Sequence, residues 1–205
     1  MMSRVTGTAR RGRPPKTTAE DWERAALAAI ADGGIAAVSV EALAVGLGTT
    51  KGSFYWHFAS RDALVEAALR RWEAEHTEAL TRYLESVPDP MERLRYVLPG
   101  ALAEERGSAI ALTLLADTVD PAVRATVQRV TQQRIAVLER AFADLGFQTT
   151  DARQRAQTAY ALYLGTAALR RGAPESAPAP DAAYAQAVLA MLTGTTTHPP
   201  DAAST

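Results

Sequence analysis

One segment in the first third of the chain contains side chains suited to reading DNA bases. Gly52, Ser53, Tyr55 and Trp56 follow one another closely, with Lys51 directly before them. Glycine lets a backbone approach a ligand closely, a serine hydroxyl can donate to or accept from base edges, and flat aromatic rings can contact thymine methyl groups or sugars. The lysine supplies a point charge for phosphate. These residue types predict contact with the major groove of DNA.

Two short helices around a glycine turn would position these side chains. The first helix is indicated by apolar residues at the i, i+3, i+4 and i+7 spacing of one buried face, which are Val40, Leu43, Ala44 and Leu47. Ser39 precedes them as an N-cap, and Gly48 stands where the chain must turn. Thr49 or Thr50 then caps a second helix that we expect to run to about Phe58. The pattern predicts a helix-turn-helix.

The second helix has an apolar face and a face suited to DNA. At about 100° per residue, Phe54 and Phe58 share the inner face and would pack on the first helix. The opposite face holds or borders the remaining residues of the segment, which are Thr49, Lys51, Gly52, Ser53, Tyr55, Trp56 and His57. In the alternative interpretation, Tyr55 and Trp56 merely pack against the rest of the protein.

Residues 22–64 resemble the DNA-binding domain of the TetR family of transcriptional regulators. The matching positions are Ala26-Leu27, Ile30, Gly34, Ser39-Val40, Leu43-Ala44, Gly48, Thr50-Lys51-Gly52-Ser53-Phe54-Tyr55, His57-Phe58 and Ser60-Arg61-Asp62. The chain departs from the family where Thr49 replaces a frequent Val, Phe54 a common Leu and Ala59 a common Pro. These departures leave the core and caps intact, and they bear on which bases are read.

Pattern and resemblance together predict the DNA contacts of this domain. We expect them from Ser39, Thr49, Thr50, Lys51, Gly52, Ser53, Tyr55, Trp56, His57 and Arg61. Thr50 would also leave free backbone amides at a helix N-terminus, where a phosphate can bind.

The residues that precede this domain form a basic arm. Arg11, Arg13 and Lys16 surround glycine and proline, and no acidic residue occurs before Glu20. We expect residues 1–17 to be disordered in the free protein. The run 11–14 resembles the core of an AT-hook, whose arginines lie in a narrow A·T minor groove. The alternative is a solubilising tail with only diffuse attraction to phosphate.

Composition predicts an all-α protein with two domains. The chain has 205 residues, 47% of them hydrophobic, and no cysteine, so disulfides and thiolate metal sites are impossible. No apolar run reaches the roughly 18 residues of a membrane span, and we expect a cytoplasmic bacterial protein. Cap and stop signals predict further helices over 61–84, 91–105, 121–145, 151–171 and 182–192, and an apolar segment covers 109–116. The predicted N-caps of the last three helices are Asp120, Thr150 or Asp151, and Asp181. We assign residues 18–64 to DNA binding, 65–193 to a helical ligand-binding and dimerisation domain, and 194–205 to a disordered tail.

Two faces near the end of the chain are candidates for dimerisation. One long helix has the small residues Ala161, Gly165 and Ala168 on one side. The last helix has an apolar stripe, formed by Tyr184, Val188, Met191 and Leu192. The resemblance implies that these two helices pair with their symmetry mates in a four-helix interface. In the alternative, a monomer buries both stripes internally.

The resemblance also implies a small-molecule cavity in the second domain, mostly apolar with a few polar anchors. An apolar segment at 110–115 would form one wall. Candidate contacts on it and on neighbouring helices are Trp72, His76, Tyr83, Thr113, Asp117, Gln133 and Tyr160. The alternative for each is an ordinary core or surface position.

Motifs for catalysis are missing from the sequence. Its three histidines, His57, His76 and His198, are far apart, without metal-ligand spacing, and no glycine-rich phosphate loop follows a strand. We therefore expect no enzyme activity, cofactor or metal. The interpretation is a homodimeric repressor that binds a palindromic operator and is released by an unidentified, largely apolar small molecule. The alternatives are an activator, a ligand-insensitive DNA-binding protein and, more remotely, a helical-bundle carrier or enzyme.

Overall fold

The computed structural model describes residues 17–116, 120–179 and 181–194, and every long regular element in them is helical. This confirms the predicted all-α class. The α-helices are α1 (Ala19–Gly33), α2 (Val40–Gly46), α3 (Lys51–Phe54), α4 (Arg61–Glu73), α5 (Ala79–Ser86), α6 (Pro90–Ala103), α7 (Arg106–Ala116), α8 (Pro121–Asp144), α9 (Thr149–Gly172) and α10 (Ala182–Thr193). Within the described ranges, none of these helices has the length and apolarity required to cross a membrane.

The first three helices form around two aromatic rings. Trp22 of α1 and Phe54 of α3 are both fully buried, and their ring centroids lie 5.3 Å apart in an edge-to-face arrangement. Each helix begins at a side-chain cap. Thr18 forms a capping box with Asp21, and the hydroxyls of Ser39 and Thr50 accept the amides of Ala42 and Ser53. The predicted turn at Gly48 is confirmed by its positive φ of 62°.

Helix α3, the second helix of the predicted helix-turn-helix and its expected recognition helix, is shorter than the sequence predicted. It ends at Phe54, and residues 55–57 form a turn in which the amide of His57 donates to the carbonyl of Phe54 at 2.9 Å. The expected end at Phe58 was wrong because Ser60 caps α4 in an extended conformation, at φ −153° and ψ 166°. The chain must leave helical geometry before reaching it. Phe58 nevertheless stays buried, with its ring centroid 5.7 Å from that of Phe54.

A continuous helical run joins the recognition helix to the rest of the molecule. It begins with α4 and ends with α5, as the sequence predicted for 61–84, but a π-helical turn at Ala74–Glu78 interrupts it. In that turn the amide of Ala79 donates to the carbonyl of Ala74, a spacing of five residues. Such turns are rare and are frequently found at functional sites.

The remaining helices pack around the long antiparallel pair α8 and α9. The predicted caps Asp120 and Asp181 are confirmed, since both carboxylates accept amides of the following turn. One boundary differs, because Gln148 stands at the N-cap position of α9 instead of Thr150 or Asp151. Gly146, at φ 94°, ends α8 and reverses the chain so sharply that α9 begins almost at once.

Hydrogen bonds and a shared core connect α1 to the second half of the chain. Arg171, at the end of α9, donates to the carbonyls of Ala31 and Asp32 at 3.1 and 2.9 Å and to the hydroxyl of Thr113 at 2.8 Å. One cluster of buried side chains extends from α1 through α4 and α7 to α8. The first helices therefore share one core with α4, α7 and α8. The division between residues 64 and 65 remains a prediction.

The ion pair between α4 and α8 provides a test of this packing. Glu73 is 7% exposed, and its two carboxylate oxygens accept Nε and a terminal nitrogen of Arg129 at 2.7 and 2.6 Å. Replacing a bonded, buried carboxylate costs about 1–3 kcal/mol, so Glu73→Ala should lower the free energy of unfolding in urea by that amount. Glu66→Ala, on the exposed face of the same helix, should change it by less than about 0.5 kcal/mol. Equal losses would contradict this role of Glu73.

Candidate nucleic-acid interface and effector cavity

Helix α3 and the turn after it carry the residues that the sequence predicted to contact DNA. We call Lys51, Gly52, Ser53, Tyr55 and Trp56 the reading surface. The Tyr55 side chain is 58% exposed and that of Trp56 87% exposed, so neither is part of the core. Anchoring comes from Phe54, which directly precedes them, because its buried ring holds the short helix against α1. A large indole left in water has no role in the packing of the protomer.

Gly52 has no structural reason to be glycine. A Cβ built on it would meet only the Thr50 hydroxyl, at 3.6 Å, which is an ordinary contact. A glycine inside a helix costs roughly 0.5–1 kcal/mol relative to alanine. The missing side chain therefore leaves the outer face of α3 open to close approach by another molecule.

Lys51 is engaged within the protomer when DNA is absent. Its ammonium group pairs with the carboxylate of Glu41 on α2, and both side chains are exposed. The hydrogen bond to Glu41 raises the pKa of Lys51 above its ordinary value, so the lysine is cationic at neutral pH. An exposed pair of this kind adds little stability. A phosphate can thus displace the carboxylate at low cost.

Three other predicted DNA contacts have internal partners. Arg61 donates through Nε to the carbonyl of Val38 at 2.8 Å and through a terminal nitrogen to the carbonyl of Ile35. His57 Nε2 lies 3.1 Å from the carbonyl oxygen of Thr17, and the Ser39 hydroxyl caps α2. Arg61 accordingly supports the turn before α2, and its other terminal nitrogen pairs with exposed Asp62 at 3.1 Å. Arg11, Arg13 and Lys16 of the basic arm lie outside the described residues.

A cavity of about 410 Å³ lies between the π-helical turn, α5, α6, α8 and α9. His76 and Tyr160 line it, as predicted from the sequence. Its other polar lining residues are Glu75, Thr77, Thr81, Tyr96, Glu104, Arg134 and Tyr163, and most of the wall is aliphatic, including Leu84, Val97, Leu98, Leu102, Val137, Leu138 and Leu162. The cavity can hold a largely apolar molecule with a polar group at one end.

The other predicted ligand contacts lie elsewhere. Trp72, Tyr83, Thr113 and Gln133 do not line this cavity. Trp72 is a core residue with the Arg134 guanidinium over its ring, and Thr113 binds Arg171. Asp117 lies outside the described residues. The sequence could not place these residues relative to the cavity, because it shows which residues are polar or aromatic but not the rotation of each helix about its axis.

Arg134 is the main cavity residue that sequence reasoning missed. It stands on the inner face of α8 among buried residues at helical spacing, which are Val127, Val130, Leu138 and Ala141. A charge that interrupts such an apolar stripe is the signal that could have identified it. Its Nε donates to the Thr77 hydroxyl at 3.0 Å, and its terminal nitrogens approach the hydroxyl of Tyr163 at 3.4 Å and the carbonyl of His76 at 3.5 Å.

Tyr163 keeps its proton beside this arginine. Burial raises the pKa of Tyr163 to about 12, because the phenolate would be poorly solvated there. Its oxygen accepts from Arg134, and the phenolic hydrogen remains available as a donor. Tyr160, on the same helix, has its hydroxyl 3.3 Å from that of Thr131.

Glu104 is a second charged residue in the cavity lining. Its carboxylate accepts the amides of Gly107 and Ser108 at 2.8 and 3.1 Å and so caps α7. An added Cβ at Gly107 would meet the Glu104 carboxylate and lie 3.0 Å from His76 Nδ1, so a larger residue here would shift these two cavity-lining side chains. In the described part of the chain, no group of three or more acidic or histidine side chains is arranged to hold a metal ion.

The two predicted dimer faces differ in exposure. Ala161, Gly165 and Ala168 lie exposed along one side of α9. On α10, Met191 is 70% exposed, whereas Val188 and Leu192 are buried in the protomer's own core. The predicted α10 stripe is therefore divided, because its inner half packs against α6 and leaves Met191 outside, with Tyr184 half-buried at the edge.

Comparisons with known proteins agree with this architecture. Residues 24–68 match the family model described as bacterial regulatory proteins, tetR family, which covers the helix-turn-helix and the first part of α4. This match confirms the resemblance seen in the sequence. The comparison with curated proteins finds no match.

Solved structures share the fold over nearly their whole length. A TetR transcriptional regulator from Legionella pneumophila superposes with a TM-score of 0.70 at 16% identity, covering 88% of this chain and 97% of that one. FadR from Bacillus subtilis, in complex with stearoyl-CoA, gives a TM-score of 0.68 at 15% identity and coverages of 86% and 98%. AibR, in complex with isovaleryl coenzyme A and operator DNA, gives 0.65 at 19% identity and coverages of 85% and 97%. At these identities the likeness is one of fold.

The reading surface leads to a direct prediction. Tyr55→Ala should weaken sequence-selective DNA binding while the far-ultraviolet circular dichroism and thermal unfolding stay close to wild type, since the ring is mostly exposed. Fluorescence anisotropy, with a duplex that the wild-type protein selects from a random DNA pool, would measure the loss of affinity. We expect this loss to be roughly tenfold or more for an interface aromatic. Tyr83→Ala, an exposed tyrosine on α5, is the matched control. Unchanged affinity in the Tyr55 variant would remove this residue from the interface.

Proposed function

We propose that this protein is a ligand-responsive transcriptional repressor of the TetR type, which binds a palindromic operator as a homodimer in the bacterial cytoplasm. The observation that carries the proposal is the reading surface. Gly52 and the exposed Trp56 have no role in the protomer's packing, yet they stand on a helix that Phe54 and the cap of Thr50 hold in place. A surface built in this way is explained by a partner, and the match over residues 24–68 makes that partner DNA.

A small-molecule effector follows from the cavity and from the neighbours. FadR and AibR were solved with acyl-coenzyme A molecules, and AibR also with operator DNA. Here the cavity touches the π-helical turn, which belongs to the same helical run as the start of α4. An effector that binds better to one orientation of this run shifts the population toward that orientation. Release of the operator requires only that the favoured orientation no longer fits DNA.

Dimerisation sets the geometry of DNA binding. Two recognition helices must reach half-sites about 34–36 Å apart to occupy successive major grooves. The exposed small-residue face of α9, together with Met191 of α10, supplies a surface on which a second copy can pack closely. A change of a few ångströms in the separation of the two α3 helices would then prevent simultaneous binding.

Selection of bound duplexes from a random DNA pool tests the proposed function. The full chain, at physiological salt, should enrich one palindromic sequence. Enrichment of that site, followed by screening for compounds that release it, would also separate a ligand-responsive repressor from a ligand-insensitive DNA-binding protein. An activator would bind the same site and raise transcription from it in a reporter assay. A folded protein that enriches no sequence would contradict the proposal.

The dimer face can be tested without disturbing the protomer. A Cβ built on Gly165 meets no atom within 4 Å, and leucine has a better helix propensity than glycine by up to about 1 kcal/mol. Gly165→Leu should therefore leave the protomer as stable or more stable, yet convert the dimer to a monomer and weaken operator binding. Ala143→Leu, at an exposed position of α8, is the control. Sedimentation equilibrium gives the mass, and an undiminished dimer would exclude this face.

A further inference from the structure

We propose that the effector is an acid with an apolar body, that Arg134 binds its anionic group, and that this contact draws Arg134 away from the π-helical turn. The inference rests on the proposed function, because it names the chemical class of the effector and the first step of the response. It depends on three features of the cavity: the partners of Arg134, the partners of the nearby carboxylates, and the position of the turn.

Arg134 has more N–H donors than it has hydrogen-bond acceptors around it. A guanidinium carries five N–H donors, and here its acceptors are one hydroxyl at 3.0 Å and two long contacts at 3.4 and 3.5 Å, all uncharged. In the part of the chain that the structure describes, it forms no ion pair. Trp72 and Tyr163 lie against it, with their ring centroids 5.1 and 5.9 Å from the guanidinium carbon. These contacts orient the group, and none of them is made to a carboxylate.

Both carboxylates that line the cavity have partners of their own. Glu104 accepts two backbone amides at the start of α7. Glu75 lies 2.9 Å from Nε of Arg71 in an ion pair that lacks hydrogen-bond geometry. Neither carboxylate forms an ion pair with Arg134, so the guanidinium can still pair with an anionic group of a ligand. A carboxylate makes shorter and stronger hydrogen bonds to a guanidinium than a hydroxyl or carbonyl does.

The rest of the cavity suits the rest of such a ligand. The Tyr163 phenol stays protonated, and its free hydrogen can donate to a carboxylate bound at Arg134. Beyond this polar end, aliphatic side chains from α5, α6, α8 and α9 form the wall. About 410 Å³ accommodates an alkyl chain or a fused aromatic ring.

Binding at Arg134 would be transmitted through the π-helical turn. The two atoms of the turn that Arg134 contacts are the Thr77 hydroxyl and the His76 carbonyl. A ligand carboxylate that binds the guanidinium replaces these two contacts. The π-helical turn can then relax toward the regular α-helical register. That relaxation rotates α4 relative to α5. Because Arg61 at the start of α4 holds the turn before α2, and the cap residue Ser60 follows the turn after α3, the rotation moves α2 and α3 together.

Paired compounds that differ only in charge test the inference. Calorimetry with the full chain would compare decanoate with decanol and decylamine, and 2-naphthoate with 2-naphthol. We expect the acids to bind at least tenfold more tightly than the matched alcohols, and the amine to bind more weakly still. Arg134→Met, which keeps the apolar stem, should lose this preference. Arg140→Met, on the same helix but paired with exposed Glu85 at 3.2 Å and outside the cavity, should keep it.

A second variant examines the transmission step. Thr77→Val removes the hydroxyl that Arg134 holds, so operator affinity should fall in the absence of any acid while the preference for acids remains. The acids should release the selected operator from the wild type and have at least tenfold less effect on Arg134→Met. If Arg134→Met does not fold, Arg134→Lys and the wild-type comparison of acid, alcohol and amine decide the question.

The outcomes separate this inference from the proposed function. Equal binding of acid and alcohol, binding of neither, or an unchanged preference in folded Arg134→Met would overturn the acid assignment, and operator selection would be unaffected. A Thr77→Val protein with wild-type operator affinity would overturn the transmission step. Acid binding that depends on Arg134 in a protein that selects no DNA would instead leave the ligand class standing and contradict the repressor.

Discussion

The helical run from α4 through the π-helical turn to α5 is the constraint on which the rest of the structure depends. Its first residues hold the helix-turn-helix in place. Arg61 donates to the carbonyl of Val38 in the turn before α2, and Ser60, the N-cap of α4, ends the segment that follows α3. Its middle residues form one wall of the cavity. The same backbone therefore serves two sites, and a helix transmits rotation along its axis with little loss. In the proposed function, this run is the element through which effector binding is coupled to DNA binding.

Polar contacts hold the run from both sides. Glu73 binds Arg129 of α8 just before the π-helical turn, and Arg134 binds the turn itself. Arg71 pairs with Glu23 of α1 at 2.9 Å, on the side that faces the first helices. Buried or half-buried charge pairs are costly to break, so they favour a small number of discrete arrangements over continuous drift. Arg134 differs from the other two arginines because its partners are uncharged, which makes it the contact most easily exchanged for a ligand.

The sequence predicted much of this architecture but not the details of the cavity. Caps such as Ser39, Thr50, Asp120 and Asp181 are local interactions, so the helices and the reading surface could be placed from residue types and spacing. The end of α3 could not, because it depends on the extended conformation of Ser60. Locating the cavity from the sequence would have required the rotation of each long helix about its axis. That rotation is set by packing between residues distant in sequence. Arg134 and the π-helical turn were missed for that reason, and Val188 and Leu192 were assigned to the wrong surface.

The distance between the two reading surfaces of one dimer tests the account most directly. The chain contains no cysteine, so Ala42→Cys, at an exposed position of α2, gives a single spin-label site in each protomer. Pulsed electron double resonance should show a narrow distribution on the selected operator, with recognition helices about 34–36 Å apart. In the free protein the distribution should be broader or displaced. Absence of a distance between labels on operator-bound protein would contradict a dimer that reads two half-sites.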